Sequence, residues 1–315
     1  MIPISEIRLA AERIRPHVVR TPLLPVPQLV EGAPGLRLKC ESMQRAGSFK
    51  ARGALHRVLT LSADARRRGL CTVSAGNHAA AVAWAARVAG CSAVVVMPDS
   101  APRSKIDAVR AEGAEIVFHA DRTTLFDRLR EVQAERGATF VHPFDDPVVL
   151  AGAATAGLEV LEDLPDVHTV VVPVGGGGLM GGVASAVKQL RPAARVVAVE
   201  LEAGPGLAPA LAAGKPVPAP RPPTLADGMT PPFVGALPLE IAREAVDEII
   251  GVSEEEIVAA MRRLVSGARL VAEGAGAAAT AVLLAGKVRV PDGAPVVALL
   301  SGGNVDAEKL AAVLI

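Results

Sequence analysis

The sequence predicts an α/β protein with doubly wound parallel sheet, and three features predict it. Apolar runs without polar alternation, such as Val94-Val95-Val96 and Val170-Val171-Val172, suit strands covered on both faces. Ala-rich segments of helical period alternate with those runs along most of the chain. Short glycine- or serine-rich turns then follow several strand candidates where a helix would open.

From the N-terminus, Ile7, Ala10, Ala11 and Ile14 recur on one face of a helix that Ser5 opens and Pro16 closes. An extended, Pro-punctuated stretch follows over Thr21 to Pro27, then a short strand over Leu36 to Cys40. Strands are predicted at Leu70–Val73, Ala93–Met97, Glu115–Phe118 and Thr139–Val141, with helices between them at Asn77–Ala89, Pro102–Glu112 and Thr123–Arg136. The alternation returns with a strand at His168–Val174, a helix ending at Leu190, and strands at Arg195–Val199 and Pro295–Leu300. Between Glu202 and Phe233 a Pro- and Gly-rich stretch has few periodic positions and exceeds an ordinary connection, which marks a functional loop or a surface excursion. Ser253-Glu254-Glu255-Glu256 is a capping box opening a helix with Ile257, Met261 and Leu264 on one face.

Composition removes several function classes. The 315 residues carry 33 Lys and Arg against 33 Asp and Glu, with a mean hydropathy of +0.37. That balance excludes an intrinsically disordered chain and supplies no basic field for nucleic acid or an anionic membrane. With no Tyr, one Trp and six Phe there is little to stack on single-stranded bases. Cys40, Cys71 and Cys91 are odd in number and lack CxxC spacing, which fits a reducing compartment with neither a disulfide framework nor a zinc site. The opening Met-Ile-Pro-Ile-Ser-Glu lacks a secretory pattern, and the uncharged stretch Gly274 to Gly286 is too short to span a bilayer. A cytoplasmic protein is expected, and zero net charge makes self-association an expectation too.

Four segments carry chemistry. In Gly47-Ser48-Phe49-Lys50-Ala51-Arg52-Gly53, Ser48 is placed to cap a helix whose first turn holds Lys50. There the dipole and desolvation both favour a neutral amine or a Schiff base, although a surface lysine on an amphipathic helix has the same local pattern. Ser74-Ala75-Gly76-Asn77-His78 follows a strand and opens a helix, an anion site suited to a carboxylate or else a plain capped turn. Gly175-Gly176-Gly177-Gly178-Leu179 lies between strand and helix, where a glycine backbone approaches a phosphate. Gly176, Gly178 and Gly181 also satisfy G-x-G-x-x-G with Glu200 ending the next strand, so a dinucleotide reading stands beside it. Ser301-Gly302-Gly303-Asn304 ends the last strand, where Ser301 can hydrogen-bond a ring nitrogen.

Together these four segments resemble the pyridoxal-phosphate-dependent enzymes of fold type II, and within them the threonine/serine dehydratase and serine racemase group. The resemblance runs from Thr21-Pro22 to the C-terminus with the motifs in the same order. It implies a tryptophan-synthase-β-like pair of doubly wound domains: a large cofactor-binding domain of residues 1–69 and 145–315, and a small mobile domain of residues 70–144. Lys50 would bond the cofactor aldehyde and then act as base at the substrate Cα, with Phe49 against the ring. Asn77 would hydrogen-bond the ring 3-oxygen, with Gly228 of Ala226-Asp227-Gly228 close by. Gly175, Gly176, Gly177, Gly178 and Leu179 would bind the phosphate; Ser74, Ala75, Gly76, Asn77 and His78 the substrate carboxylate; and Ser301 the pyridine nitrogen.

A hydroxyl at that nitrogen does not force its protonation, so the ring is a weaker electron sink and prompt loss of a β-leaving group is favoured. The implied reaction is α,β-elimination of L-threonine or L-serine to a 2-oxo acid and ammonia, by a homodimer or homotetramer acting on small molecules. Ala75 stands where the racemases carry a serine that protonates the opposite face of Cα, which lowers the racemase alternative. The group's divalent cation uses an acid at Glu200, a carbonyl near Gly204 and a second acid where Gly206 stands, so that site is left short of hard oxygen ligands. Ala151-Gly152-Ala153-Ala154-Thr155 replaces the group's Ala-Gly-Gln-Gly-Thr, and Glu273 falls where the group has an acid near the ring. The remaining alternatives are a dehydratase of another β-hydroxy amino acid such as 3-hydroxyaspartate and, more distantly, a nicotinamide-dependent oxidoreductase.

Overall fold

Two sheets organise the chain in the computed structural model, which describes residues 1–121 and 123–315. The first stretch comprises α1 (Ile4–Ile14), β1 (Leu23–Pro25), β2 (Leu36–Lys39), α2 (Lys50–Leu59) and α3 (Ala63–Arg68). A compact alternation follows: β3 (Leu70–Val73), α4 (Asn77–Ala89), β4 (Ala93–Pro98), α5 (Arg103–Ala111), β5 (Glu115–His119), α6 (Leu125–Arg136) and β6 (Thr139–Phe140). Next come α7 (Pro147–Asp163), β7 (Thr169–Pro173), α8 (Gly178–Leu190), β8 (Arg195–Leu201) and α9 (Leu207–Ala213). The chain closes with α10 (Ala236–Ala245), β9 (Glu248–Val252), α11 (Glu254–Arg263), α12 (Gly274–Leu284), β10 (Val296–Leu299) and α13 (Ala307–Leu314). The larger sheet has the order β1-β2-β10-β7-β8-β9, parallel except at the β1–β2 edge, and the smaller is all parallel in the order β5-β4-β3-β6.

The unbroken valine runs follow from this layering. Val170 and Val172 face a core shared with α1, α7, α8 and α10, whereas Val171 between them faces α11 and α12. Val95 and Met97 face α2 and α4, and Val94 and Val96 face α6. Burying such side chains on both faces is worth roughly 1.5–3 kcal/mol each, which is why no polar alternation is tolerated in these strands. The fold is α/β and doubly wound. No helix among the described residues is long and apolar enough to cross a membrane, and the uncharged stretch near the C-terminus is the buried helix α12.

Several elements lie where the sequence shows no clear period. Helix α7 runs for 17 residues and is buried along most of its length, so no amphipathic stripe marks it. Its start is nonetheless written locally, because the Asp146 carboxylate accepts the amides of Val148 and Val149 and Pro147 occupies the first turn. Helix α9 sits inside the Pro- and Gly-rich stretch. The capping box at Ser253 and Glu256 is present and opens α11, with Ile257, Met261 and Leu264 buried.

Candidate active site

The four segments meet at the carboxyl ends of β3, β7 and β10. Lys50 is the first residue of α2, and its Nζ donates to the carbonyl of Pro143 at 2.6 Å. Burial lowers the amine from its ordinary value to about 8. The Phe49 ring lies beside it, 5.0 Å from centroid to Nζ. Ser48 does not cap α2: Phe49 holds the cap position without a side-chain bond, and Ser48 bridges Gly302 by its backbone instead. Among the described residues the buried Ser48 Oγ has no hydrogen-bond partner.

Beneath α2, Arg52 is fully buried and pairs with Glu41 at 2.8 Å and Glu159 at 2.7 Å, with Thr155 at 3.1 Å from Nη1. Lys39, also buried, donates to Glu159 at 2.5 Å and to Thr21 O at 2.7 Å. Buried ions demand complete pairing, so this network fixes the seat of α2 and with it the direction of Lys50.

The second segment opens α4. Gly76 holds the N-cap position without a side-chain bond, and its amide donates to Ser74 Oγ at 3.1 Å. The first amides of α4 therefore face outward from an uncapped, electropositive helix end. Asn77 donates to Glu273 Oε1 at 2.5 Å and accepts from Asn304 at 2.8 Å. His78 is buried with Nε2 at 2.9 Å from Val141 O, and burial and then the Lys50 charge lower it to about 3, so the ring is neutral.

The tetraglycine segment turns from β7 into α8. Gly177 adopts φ +88°, which favours glycine, and α8 again has no side-chain cap. Close approach dictates the other glycines. A Cβ at Gly175 would lie 2.6 Å from Gly228 O, and one at Gly176 would stand inside the Phe144 ring. The turn is thus shaped by its protein neighbours. In the fourth segment Ser301 is buried, its Oγ 3.3 Å from Ala275 O, and its carbonyl accepts from Phe49 N at 3.1 Å.

Comparison with known proteins places this geometry. The sequence profile of the family described as pyridoxal-phosphate dependent enzyme matches residues 14–302. The chain belongs to that family. It is 43% identical over 311 residues to an L-threonine ammonia-lyase of Thermotoga maritima, covering 97% of this chain and 76% of that one. Among solved structures, maize serine racemase superposes with a TM-score of 0.93 at 36% identity, over 98% of this chain and 95% of that one. The T.th. threonine deaminase gives a TM-score of 0.90 at 42% identity, over 96% and 98%.

The residues fit the family's cofactor. A pyridoxal-phosphate enzyme needs a lysine amine that deprotonates readily, an anion cradle of free backbone amides, and polar side chains for the ring edge. Lys50, the uncapped turn into α8, and the Asn77 and Ser301 side chains supply these groups. The implied divalent cation does not fit. The Glu200 carboxylate accepts the amides of Gly206 at 2.8 Å and Leu207 at 2.7 Å, with Ala208 at 3.3 Å, and so caps α9. Gly206 brings no carboxylate, Gly204 offers backbone only, and among the described residues no group of three His, Cys, Asp or Glu could hold a metal ion. The same engagement removes Glu200 as a ribose acceptor, and membership of this family replaces the nicotinamide reading.

Pro143 and Phe144 were not singled out by sequence reasoning as site residues, and Asn304 only as the end of the fourth segment. The run His142-Pro143-Phe144-Asp145-Asp146 received no reading from the sequence; in the structure Asp145 accepts the Ala236 and Leu237 amides at the start of α10, and Asp146 caps α7.

Proposed function

We propose that the chain is a pyridoxal-phosphate-dependent ammonia-lyase that converts L-threonine and L-serine to a 2-oxo acid and ammonia. The observation that carries the reading is a desolvated Lys50 amine in a chain that also leaves two glycine-opened helix N-termini without a side-chain cap, one for each anionic group that must be held. Relatives named threonine ammonia-lyase or threonine deaminase, at 42–43% identity over nearly the whole chain, support it.

When bound, pyridoxal phosphate supplies the electron sink that acidifies the substrate Cα–H. Lys50 Nζ would be the amine that holds its aldehyde group and the base placed for the Cα proton. Backbone amides of Gly175 to Gly178 and Leu179 would hold the phosphate, while Asn77, Phe49, Gly228 and the Ser301 hydroxyl would orient the ring. Ser74 to His78 hold the substrate carboxylate at the open end of α4. The β-hydroxyl leaves as water, and hydrolysis of the released enamine takes that water back, so the balance is one 2-oxo acid and one ammonia. A racemase must also deliver a proton to the opposite face of Cα; the fit to maize serine racemase favours this second reading, and Ala75, which has no proton to give, opposes it.

The reading extends to the molecule: residues 70–144 move as a small domain over residues 1–69 and 145–315, in a cytoplasmic homodimer or homotetramer. Contacts that cross this division include Ser104 with Asp306 and Lys105 with Asp227 at 3.9 Å. Closing it would exclude water from the site.

Borohydride reduction of the loaded enzyme with peptide mapping is expected to place the label on Lys50. Lys50→Ala is expected to lower 2-oxo acid release about 10³-fold or more. A label on another amine would end the reading. On L-serine, D-serine accumulating faster than pyruvate would make the racemase the correct one, and release faster from 3-hydroxyaspartate than from threonine or serine would change the substrate.

A further inference from the structure

Asn77 is held at both ends of its carboxamide. Its Nδ2 donates to Glu273 Oε1 at 2.5 Å, and its Oδ1 accepts from Asn304 Nδ2 at 2.8 Å. Asn304 is itself anchored, since Nδ2 also donates to Ala46 O at 2.8 Å. An amide donor on one side and a carboxyl acceptor on the other allow one orientation of the Asn77 amide, with one Nδ2 hydrogen left to give.

The backbone is shaped to admit both buttresses. A Cβ at Gly302 would overlap the Glu273 carboxyl, and one at Gly47 would overlap the Asn304 carboxamide. These two glycines flank Ser48-Phe49-Lys50 and Ser301, so the spacing of the first and fourth segments is tied to the seating of Asn77. Glu273 is buried, and its amide donates to Gly302 O at 3.1 Å.

Resting on the function proposed above, we propose that Glu273 and Asn304 are positioning residues that act as a relay, locking Asn77 toward the ring oxygen of the cofactor. The charged groups around Glu273 are Lys105 from α5, Asp227 from the turn that precedes Met229, and Asp306 and Lys309, which line the same small, partly open pocket. Burial first, then Asp227, push its carboxyl up to about 7 against the opposing pull of Lys105 and Asn77. Glu273 is neutral below that pH and becomes an anion above it, beside the amide that faces the ring.

The test uses the full chain, loaded and unloaded. Glu273→Gln keeps an acceptor for Asn77 and is expected to bind pyridoxal phosphate within about 2-fold of the wild type, whereas Glu273→Ala and Asn304→Ala each weaken binding about 5- to 10-fold. The visible band of the loaded wild type is expected to show a titration step near pH 7 that Glu273→Gln lacks. Unchanged affinity in both alanine variants, or the same step in Glu273→Gln, would overturn the relay. Mapping the borohydride label separates the two readings: a label absent from Lys50 in the wild type defeats the proposed function, whereas a label on Lys50 with unaltered titration defeats the relay alone. If Asn304→Ala fails to fold, the conservative Glu273→Gln variant still decides.

Discussion

Lys50 gives its amine to a peptide carbonyl where water is largely excluded, and burial brings that amine to about 8 from 10.5. Below pH 8 the neutral fraction falls about tenfold per unit, and above it the amine is mostly free to attack an aldehyde. Capture of pyridoxal phosphate by the unloaded protein, followed by stopped-flow absorbance, is therefore expected to accelerate about tenfold per pH unit up to 8 and then level. A rise continuing to pH 10 would mean an ordinary lysine. The linkage has the same sign: the folded chain binds fewer protons than the unfolded one between pH 8 and 10.5, so burial of Lys50 costs stability below pH 8 and the cost fades as pH rises through that window. His78, lowered to about 3, remains neutral throughout and adds no positive charge beside the amine.

At the level of elements, the turn from β7 into α8 is the part most sensitive to a single methyl group. Phe144, from the segment after β6, packs its ring on Gly176 and its backbone near Gly178, where a Cβ would lie 3.1 Å from Phe144 Cα. Gly176→Ala is expected to cost about 1–3 kcal/mol in urea unfolding, because the aromatic ring is stiff and must move as a whole, and to weaken cofactor binding. Phe144→Leu combined with Gly176→Ala should recover part of that loss. Simple additivity of the two changes would show that the ring is not the obstacle. Helices α2 and α7 meet on the same principle: a Cβ at Gly152 would lie 2.6 Å from Arg52 O, which places Thr155 against the Arg52 network and accounts for Gly152 and Thr155 in the Ala151–Thr155 run. Nothing in the structure explains the alanine at 153.

Over the whole molecule, the two sheets enclose the site between them, and the proposed motion of residues 70–144 must break the Ser104–Asp306 and Lys105–Asp227 contacts. Ser104→Cys with Asp306→Cys is expected to form a cross-link that stops turnover until a reductant is added; Cys40 and Cys71 are buried, and the half-buried Cys91 is replaced by serine in the test protein. Full activity in the oxidised, cross-linked protein would rule out an opening step. The parallel sheets were legible because every layer writes a local signature, as in β3 at Leu70–Val73 and α4 at Asn77–Ala89, whose bounds match their sequence patterns. The four glycine- and serine-bearing turns were legible for the same reason, since turn chemistry is a property of neighbouring residues. What those turns hold between them was decided only by packing. Pro143 meets Lys50 from 93 residues away, Glu273 meets Asn77 from 196, and Asn304 meets it from 227. Glu200 turned from a candidate ligand into a helix cap because the loop after β8 folds α9 back onto it. The chain's own order thus determined the layers and the chemistry available at their edges, while the approach of distant segments, governed by how two sheets stack and not by any local period, settled which groups face one another.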